Sequence, residues 1–296
     1  MDKTLFLGRK KVGKTIMNIM VTGANGGYGS YALDYLKEFA PEANLYALVR
    51  SEEKGRALKD KGIHIRIGDY TNLSSMVDAL KGIDRLLFVS TSVQGVQKNV
   101  VEAAKVNGVK YIAYTSLNGL EYRKFGLEIN HRQTEELIKN SGIPHTFLRN
   151  NWYLELIAPL ISTAIETKKF WYYSEDKQLS WALKREYAEA GARVIAGENY
   201  GSVLELAGKP HTFKELAQAA EAAKDQTIDI QEVTQSDFNR NMAQTEISQM
   251  GLMLSKSYQD YALAGNNGES EASPTVFEKV LGHPLTPLSE ALKELI

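Results

Sequence analysis

Asn18-Ile19-Met20-Val21-Thr22-Gly23-Ala24-Asn25-Gly26-Gly27-Tyr28-Gly29 is the stretch on which the fold turns. A short apolar run enters a glycine-rich turn, and residues 30–36 beyond it have helical spacing. Strand, tight turn and helix in that order are the setting that a dinucleotide-binding fingerprint requires. Gly23, Gly26 and Gly29 are spaced G-x-x-G-x-x-G, one residue away from the G-x-G-x-x-G form. Gly23 allows a sharp turn, and Gly26 lets backbone N–H groups approach a diphosphate that a Cβ would block. Gly29 lets the helix pack closely on the strand. The phosphates then rest at the helix N-terminus, where free N–H groups and the dipole favour negative charge. Asn25, Gly27 and Tyr28 complete the phosphate-facing turn. The bland alternative is a glycine turn with no ligand.

Outward from this turn, short apolar runs alternate with helical patterns. Strands are expected at residues 45–49, 63–67, 86–89, 111–114 and 145–148, with helices between them. Such alternation implies right-handed crossovers and a parallel sheet covered on both faces. The expected class is α/β: a Rossmann-type doubly wound parallel sheet of about seven strands, with a smaller α+β substrate lobe. Residues 17–150 would form the nucleotide-binding domain. Residues 151–296 would be mainly the lobe, with residues 185–207 returning a helix and a strand to the sheet. Within the lobe, residues 152–167 read as one long helical run, and Thr212-Phe213-Lys214-Glu215 as a capping box. Residues 237–263 read as mostly helical, and residues 266–271 as a mobile polar loop. The cleft between the lobes is the expected substrate site.

Residues 1–16 form a basic extension, with Lys3, Arg9, Lys10, Lys11 and Lys14 against Asp2. They contain Gly8-Arg9-Lys10-Lys11-Val12-Gly13-Lys14-Thr15, which matches the P-loop pattern. A P-loop needs a full helix after it. Here Thr15 runs almost at once into the strand at residues 17–21, so the segment reads as an extension ahead of the fold.

The 296 residues carry a formal net charge of −1, which points away from nucleic acid or an anionic membrane as partner. Cysteine is absent, which excludes disulfides, thiol catalysis and thiolate metal sites and fits a reducing compartment. No apolar run reaches the ~18–20 residues of a membrane span, and a cytoplasmic protein is expected. No His/Asp/Glu cluster has metal spacing. The oligomeric state is open, with a homodimer as one option.

The position about 20 residues beyond the glycines, where NAD enzymes place an acidic residue, is Arg50, with Lys54 one helical turn on. A carboxylate would repel a 2′-phosphate, whereas a guanidinium binds it through parallel charge-assisted bonds. NADP(H) is therefore expected over NAD(H). Asp69, at the end of the third strand, is placed to reach the adenine side. Ser90, Thr91 and Ser92, after the fourth, would border the nicotinamide ribose. Short polar residues at strand ends are also common turn formers.

Short-chain reductases need Tyr-x-x-x-Lys on the helix after the fifth strand, where the Lys lowers the phenol's pKa. The match at Tyr173–Lys177 lies in the other lobe among acidic residues. Where the pair should stand, the chain reads Ile129-Asn130-His131-Arg132-Gln133-Thr134-Glu135. Alcohol–ketone chemistry loses its acid, and a hydride acceptor that needs no strong acid, such as a quinone, fits better.

At this point the chain resembles the NmrA-like atypical short-chain dehydrogenases, and within them the type 2 NAD(P)H:quinone oxidoreductases and the triphenylmethane dye reductases. The resemblance rests on Val21-Thr22-Gly23-Ala24, Leu48-Val49-Arg50 with Lys54, Gly68-Asp69-Tyr70, and Gly108-Val109-Lys110 running into Ile112-Ala113-Tyr114-Thr115-Ser116. It continues through His131, Phe147-Leu148-Arg149-Asn150-Asn151-Trp152-Tyr153 and Leu281-Gly282-His283-Pro284. It implies NADPH at the glycine turn and a small aromatic or quinone acceptor over the nicotinamide. Asn150 would orient the acceptor carbonyl or the carboxamide, or satisfy a turn. His131 would donate to the reduced oxygen, or cap a helix. Tyr153 and Trp152 would wall the acceptor site, or pack the lobes together. Ser116 sits where short-chain reductases keep a hydroxyl. Asn151 departs from the family's Gly at a position the resemblance places beside the pocket, and residues 117–125 also differ. The rival expectation is a non-catalytic NADP(H) sensor of the same NmrA-like fold.

Overall fold

The computed structural model describes residues 16–198 and 200–296. The P-loop-like pattern and all of the basic extension but Ile16 lie outside them. β1 (Asn18–Val21), β2 (Asn44–Val49), β3 (His64–Ile67), β4 (Arg85–Phe88), β5 (Tyr111–Leu117) and β6 (His145–Asn150) alternate with helices. Those helices are α1 (Gly27–Phe39), α2 (Glu52–Asp60), α3 (Leu73–Ala79), α4 (Gln97–Val106) and α5 (Leu127–Ser141). Next come β7 (Trp152–Tyr153), α6 (Ala158–Thr167), β8 (Lys169–Tyr172), β9 (Gln178–Ala182), α7 (Lys184–Ala196) and β10 (Val203–Leu206). The chain then runs through β11 (Pro210–Thr212), α8 (Phe213–Lys224) and β12 (Asp229–Glu232). It ends in α9 (Gln235–Met242), α10 (Gln249–Ala264), α11 (Thr275–Leu281) and α12 (Leu288–Leu295).

Seven strands make one parallel sheet in the order β10-β6-β5-β4-β1-β2-β3. The Rossmann-type α/β class expected from the sequence is the one observed. The order reverses between β1 and β4, and ligands of such sheets bind outside the carboxyl ends at that point. Thr22, just past β1, ties the two strands together: its N–H donates to the Leu87 carbonyl at 3.1 Å, and its Oγ1 accepts the Val89 N–H at 2.8 Å.

Successive residues of a strand face opposite sides, so a sheet covered on both faces needs apolar side chains at nearly every position. Ile19, Val21, Ala113 and Leu148 accordingly join the core shared with α1 and α7. Met20, Ile112, Tyr114 and Phe147 join the opposite core, with α3 and α4. A third core holds Trp152, Phe170, Trp181, Phe213 and Phe238, around a three-stranded sheet (β11-β9-β7) and the pair β12-β8. The Thr212 capping box is present, with Glu215 N–H to Thr212 Oγ1 at 3.1 Å and Thr212 N–H to Glu215 Oε2 at 2.8 Å.

Residues 152–167 are not one helix. Trp152 and Tyr153 pair in parallel with Trp181 and Ala182. A single 3-10 turn, Leu154–Leu156, follows, and α6 starts only at Ala158. Pro159 explains the break: its ring would clash with the carbonyl four residues back, so a helix can begin there but not run through it. Among the described residues no helix is long and apolar enough to cross a membrane.

Candidate active site

A cavity of about 660 Å³ lies at the carboxyl ends of β1, β2 and β4. Gly23, Asn25, Gly26, Arg50, Lys54 and Asp69 are among the residues that wall it. Gly23 adopts φ +60°, a conformation that favours glycine, and its carbonyl accepts the Gly26 N–H at 2.9 Å. A Cβ on Gly26 would come within 3.3 Å of that same oxygen. Gly26 caps α1 without a side-chain hydrogen bond, so the first N–H groups of the helix remain available to an anion. The Asn25 amide donates to the Lys54 carbonyl, which fastens the turn to α2. A Cβ on Gly29 would stand 2.8 Å from Ala24 Cα, so that glycine serves the close packing of α1 on the turn.

Arg50 directly follows β2. Ser51 then caps α2 by accepting the Lys54 N–H at 3.4 Å, which brings both cations to the cavity wall. The Asp69 carboxylate accepts from the Thr71 N–H at 2.8 Å and the Thr71 hydroxyl at 2.7 Å. Those bonds, with a smaller contribution from Arg50, hold its pKa below the usual carboxylate value. A bare-backbone cradle with two cations beside it suits a nucleotide diphosphate carrying a further phosphate. Ser90 and Thr91 also line the cavity; Ser92 is exposed and lies outside its wall. Tyr70, which carries no site signal in the sequence, also walls the cavity, its hydroxyl 2.6 Å from Thr22 Oγ1 and 2.8 Å from the Val89 carbonyl. Tyr28 can reach the turn only through its N–H in the first turn of α1, not through its side chain. Its ring is buried in the core shared by α1 and α7, and a Cβ on Gly191 would strike its hydroxyl, so it packs α1 and does not face the cavity.

The four catalytic candidates do not converge. Ser116 is buried and donates to Glu135 at 2.7 Å, a carboxylate that also holds Arg149 through bonds of 2.9 and 2.8 Å. His131 is partly buried, and its Nδ1 lies 3.0 Å from the hydroxyl of Tyr114, a residue of the core with α3 and α4. Burial pushes its pKa down to about 4, with Glu135 opposing. None of the four candidates, Asn150 and Tyr153 included, is among the cavity's walls. Asn150 and Tyr153 do meet: the Asn150 amide nitrogen is 3.4 Å from the Tyr153 hydroxyl, and the Tyr153 ring lies 5.2 Å from that of Tyr187. Asn150 Oδ1 and the hydroxyls of Tyr28 and Tyr187 are each buried without a partner among the described residues. Buried polar atoms of that kind mark a place where a water or a ligand's polar group is accommodated.

A folded pKa of about 4 for His131 against an unfolded value of 6.5 has a definite consequence. Its contribution to stability is complete above about pH 6.5 and is lost as the pH falls toward 4, a span of about 3 kcal/mol. In chemical unfolding at pH 7 and pH 4.5, His131→Gln should remove most of that acid-induced loss. An unchanged loss would mean that the folded imidazole is charged.

The largest feature without a sequence signal is a buried charge network. Glu269 Oε1 accepts from Lys124 Nζ at 2.7 Å and Trp152 Nε1 at 2.9 Å, and Oε2 accepts from Asn151 Nδ2 at 2.9 Å and the Ser180 N–H at 3.0 Å. Asn151 Oδ1 in turn accepts from Lys124 Nζ at 3.2 Å. Residues 266–271 are thus anchored, contrary to the expectation of a mobile loop. Asn151, 4% exposed, directs its amide into the network, and Trp152 packs against Phe125, Tyr258 and Tyr261.

Comparison with known proteins bears on this site. A model of NAD(P)H-binding proteins matches residues 23–166. Quinone oxidoreductase 2 of Escherichia coli (strain K12) is 33% identical over 285 residues, 94% of this chain and 98% of that protein. The crystal structure of the NADPH-dependent quinone oxidoreductase from Escherichia coli complexed with NADPH superposes with a TM-score of 0.80 at 32% identity, covering 94% of this chain and 99% of that one. The triphenylmethane reductase of Citrobacter sp. complexed with NADP(H) superposes with a TM-score of 0.85 at 29% identity, covering 95% and 100%.

Proposed function

Because this chain belongs to the family of quinone oxidoreductase 2 and matches the NAD(P)H-binding model, we propose that it reduces quinone-like small aromatic acceptors by direct hydride transfer from NADPH. It is an oxidoreductase and its cofactor is NADP(H). The cavity over the glycine turn, with Arg50 and Lys54 in its wall, carries this reading.

In this reading the N–H groups that open α1 hold the diphosphate, and Arg50 with Lys54 holds the 2′-phosphate. Asp69 borders the adenosine, and Ser90 and Thr91 the nicotinamide ribose. The cofactor, when bound, supplies the hydride; the chain's part is to place the two reacting carbons about 3–3.5 Å apart. Burial pushes the Tyr153 phenol up to about 12, so it stays protonated near neutral pH and serves, with Asn150, as a neutral donor that orients the acceptor's carbonyl. The proton that completes the reduced acceptor comes from water, since His131 is uncharged at neutral pH and engaged with Tyr114. An acceptor of this kind suits α5, which carries no Tyr-x-x-x-Lys pair.

NADPH oxidation followed at 340 nm with simple quinones and triphenylmethane dyes tests the reading. Turnover with at least one of them is expected. Tight NADP⁺ binding with no turnover by any acceptor would overturn it in favour of the sensor.

A further inference from the structure

We propose that Lys184 is a cofactor-binding residue, whose ammonium bears on the diphosphate at the start of α1; this rests on the glycine turn being the NADP(H) seat. Lys184 opens α7, and its backbone is fixed before the side chain departs. Its N–H donates to both oxygens of Glu155 at 3.0 Å, and the Leu183 N–H before it donates to Glu186 at 3.2 Å. The side chain then crosses to α1. Its Cδ and Nζ lie 3.2 and 3.7 Å from where a Cβ on Gly27 would stand, and Nζ is 5.4 Å from the centre of the Tyr153 ring. Gly27 is the first residue of α1. Its missing side chain is the space in which Lys184 lies.

The charge balance of this arrangement points to an anion. A cation at a helix N-terminus is unfavourable. Lys184 occupies that position in its own helix, and its ammonium stands beside the N-terminus of α1, which no side chain caps. Glu155, the carboxylate nearest its backbone, is engaged with the N–H. Among the described residues no carboxylate comes within 4.0 Å of Nζ. Glu155 and Glu186 already answer the α7 end through the Lys184 and Leu183 N–H groups, so the uncompensated charges are the ammonium and the N-terminus of α1; these repel one another until a negatively charged group sits between them, and the diphosphate is the anion the cofactor brings to this turn.

Dissociation constants measured by fluorescence titration provide the test. Lys184→Met should weaken NADPH and NADH by the same factor, about tenfold or more, and leave 2′-AMP, which lacks the diphosphate, unchanged. Lys184→Arg should retain most of the affinity. Gly27→Ala, which crowds the lysine, should reproduce the loss and add little to Lys184→Met in the double variant. Without nucleotide, Lys184→Met should keep or raise the Tm, because it removes a repulsion; a structural lysine would lower it. Unchanged NADPH and NADH affinities, or a loss confined to NADPH, would overturn the proposal while the wild-type protein still bound NADPH. Failure of the wild type to bind NADPH would instead overturn the cofactor seat itself.

Discussion

Lys124→Met should lower the free energy of unfolding by about 3–5 kcal/mol, the range seen when one partner of a buried ion pair is removed. Lys124 and Glu269 are 1% and 0% exposed in their side chains, so neither charge has water to fall back on. The Glu269 carboxylate keeps its bonds to Trp152, Asn151 and the Ser180 N–H after the substitution, but these are dipoles, and the compensating cation is gone. The ammonium also stands 4.9 Å from the Trp152 ring centre, a contact a thioether replaces only in part. Lys124→Met combined with Glu269→Gln should recover a large share of the loss, because no unpaired charge is then buried. Urea unfolding of the two variants and the parent checks this. A loss below about 1 kcal/mol for Lys124→Met, typical of exposed pairs, or a double variant no better than the single one, would show that the pair does not hold the fold together. The consequence reaches the site. Lys124 lies in the connection from β5 to α5, and Asn151 and Trp152 adjoin Asn150 and Tyr153, so the network fixes the strand end on which Asn150 and Tyr153 stand.

Why this network escaped the sequence is physically plain. Lys124 and Glu269 are separated by 145 positions, and neither has a local pattern that marks it as buried. A polar run such as residues 266–271 normally faces water, and only the partner's arrival makes burial favourable. β7 was missed for a related reason. Two residues become a strand because Trp181 and Ala182 lie beside them, not through any alternation of their own. What was legible depended on neighbours along the chain. The glycine spacing is a local steric requirement, met by the positive φ of Gly23 and the contact of Gly29 with Ala24. The apolar runs of β1, β2 and β4 follow from a sheet buried on both faces, and Thr212 with Glu215 closes its box within one helical turn. Arg50 stands at a fixed offset from the glycines, so its place in the cavity wall was legible too. The surroundings of His131 and Ser116 are not legible, because chemistry-bearing side chains look alike in a sequence whether they face a cavity or a core. Their bonds to Tyr114 and Glu135 follow from how α5 packs on β5, which no local pattern reveals.

Arg50→Asp should weaken NADPH by about two orders of magnitude or more while changing NADH by less than about threefold. The guanidinium lies in the cavity wall with Lys54, and a charge-assisted bond to a phosphate is worth about 1.5–3 kcal/mol, roughly ten- to a hundredfold. The substitution does more than remove that bond. It places a carboxylate facing the phosphate dianion, beside Asp69, whose low pKa keeps it charged. Attraction is thus replaced by repulsion, and the loss exceeds that of Arg50→Ala. NADH has no 2′-phosphate, so the new carboxylate meets a neutral ribose hydroxyl that it can accept from, as acidic residues do at this position in NAD enzymes. Titrations of both nucleotides at fixed ionic strength decide the matter. The discrimination should also narrow as salt rises, because Arg50 is exposed and the pairing it makes is screened. Equal losses for the two nucleotides would mean that Arg50 supports the turn into α2 and does not read the phosphate, and Lys54 alone would then have to carry the preference for NADPH.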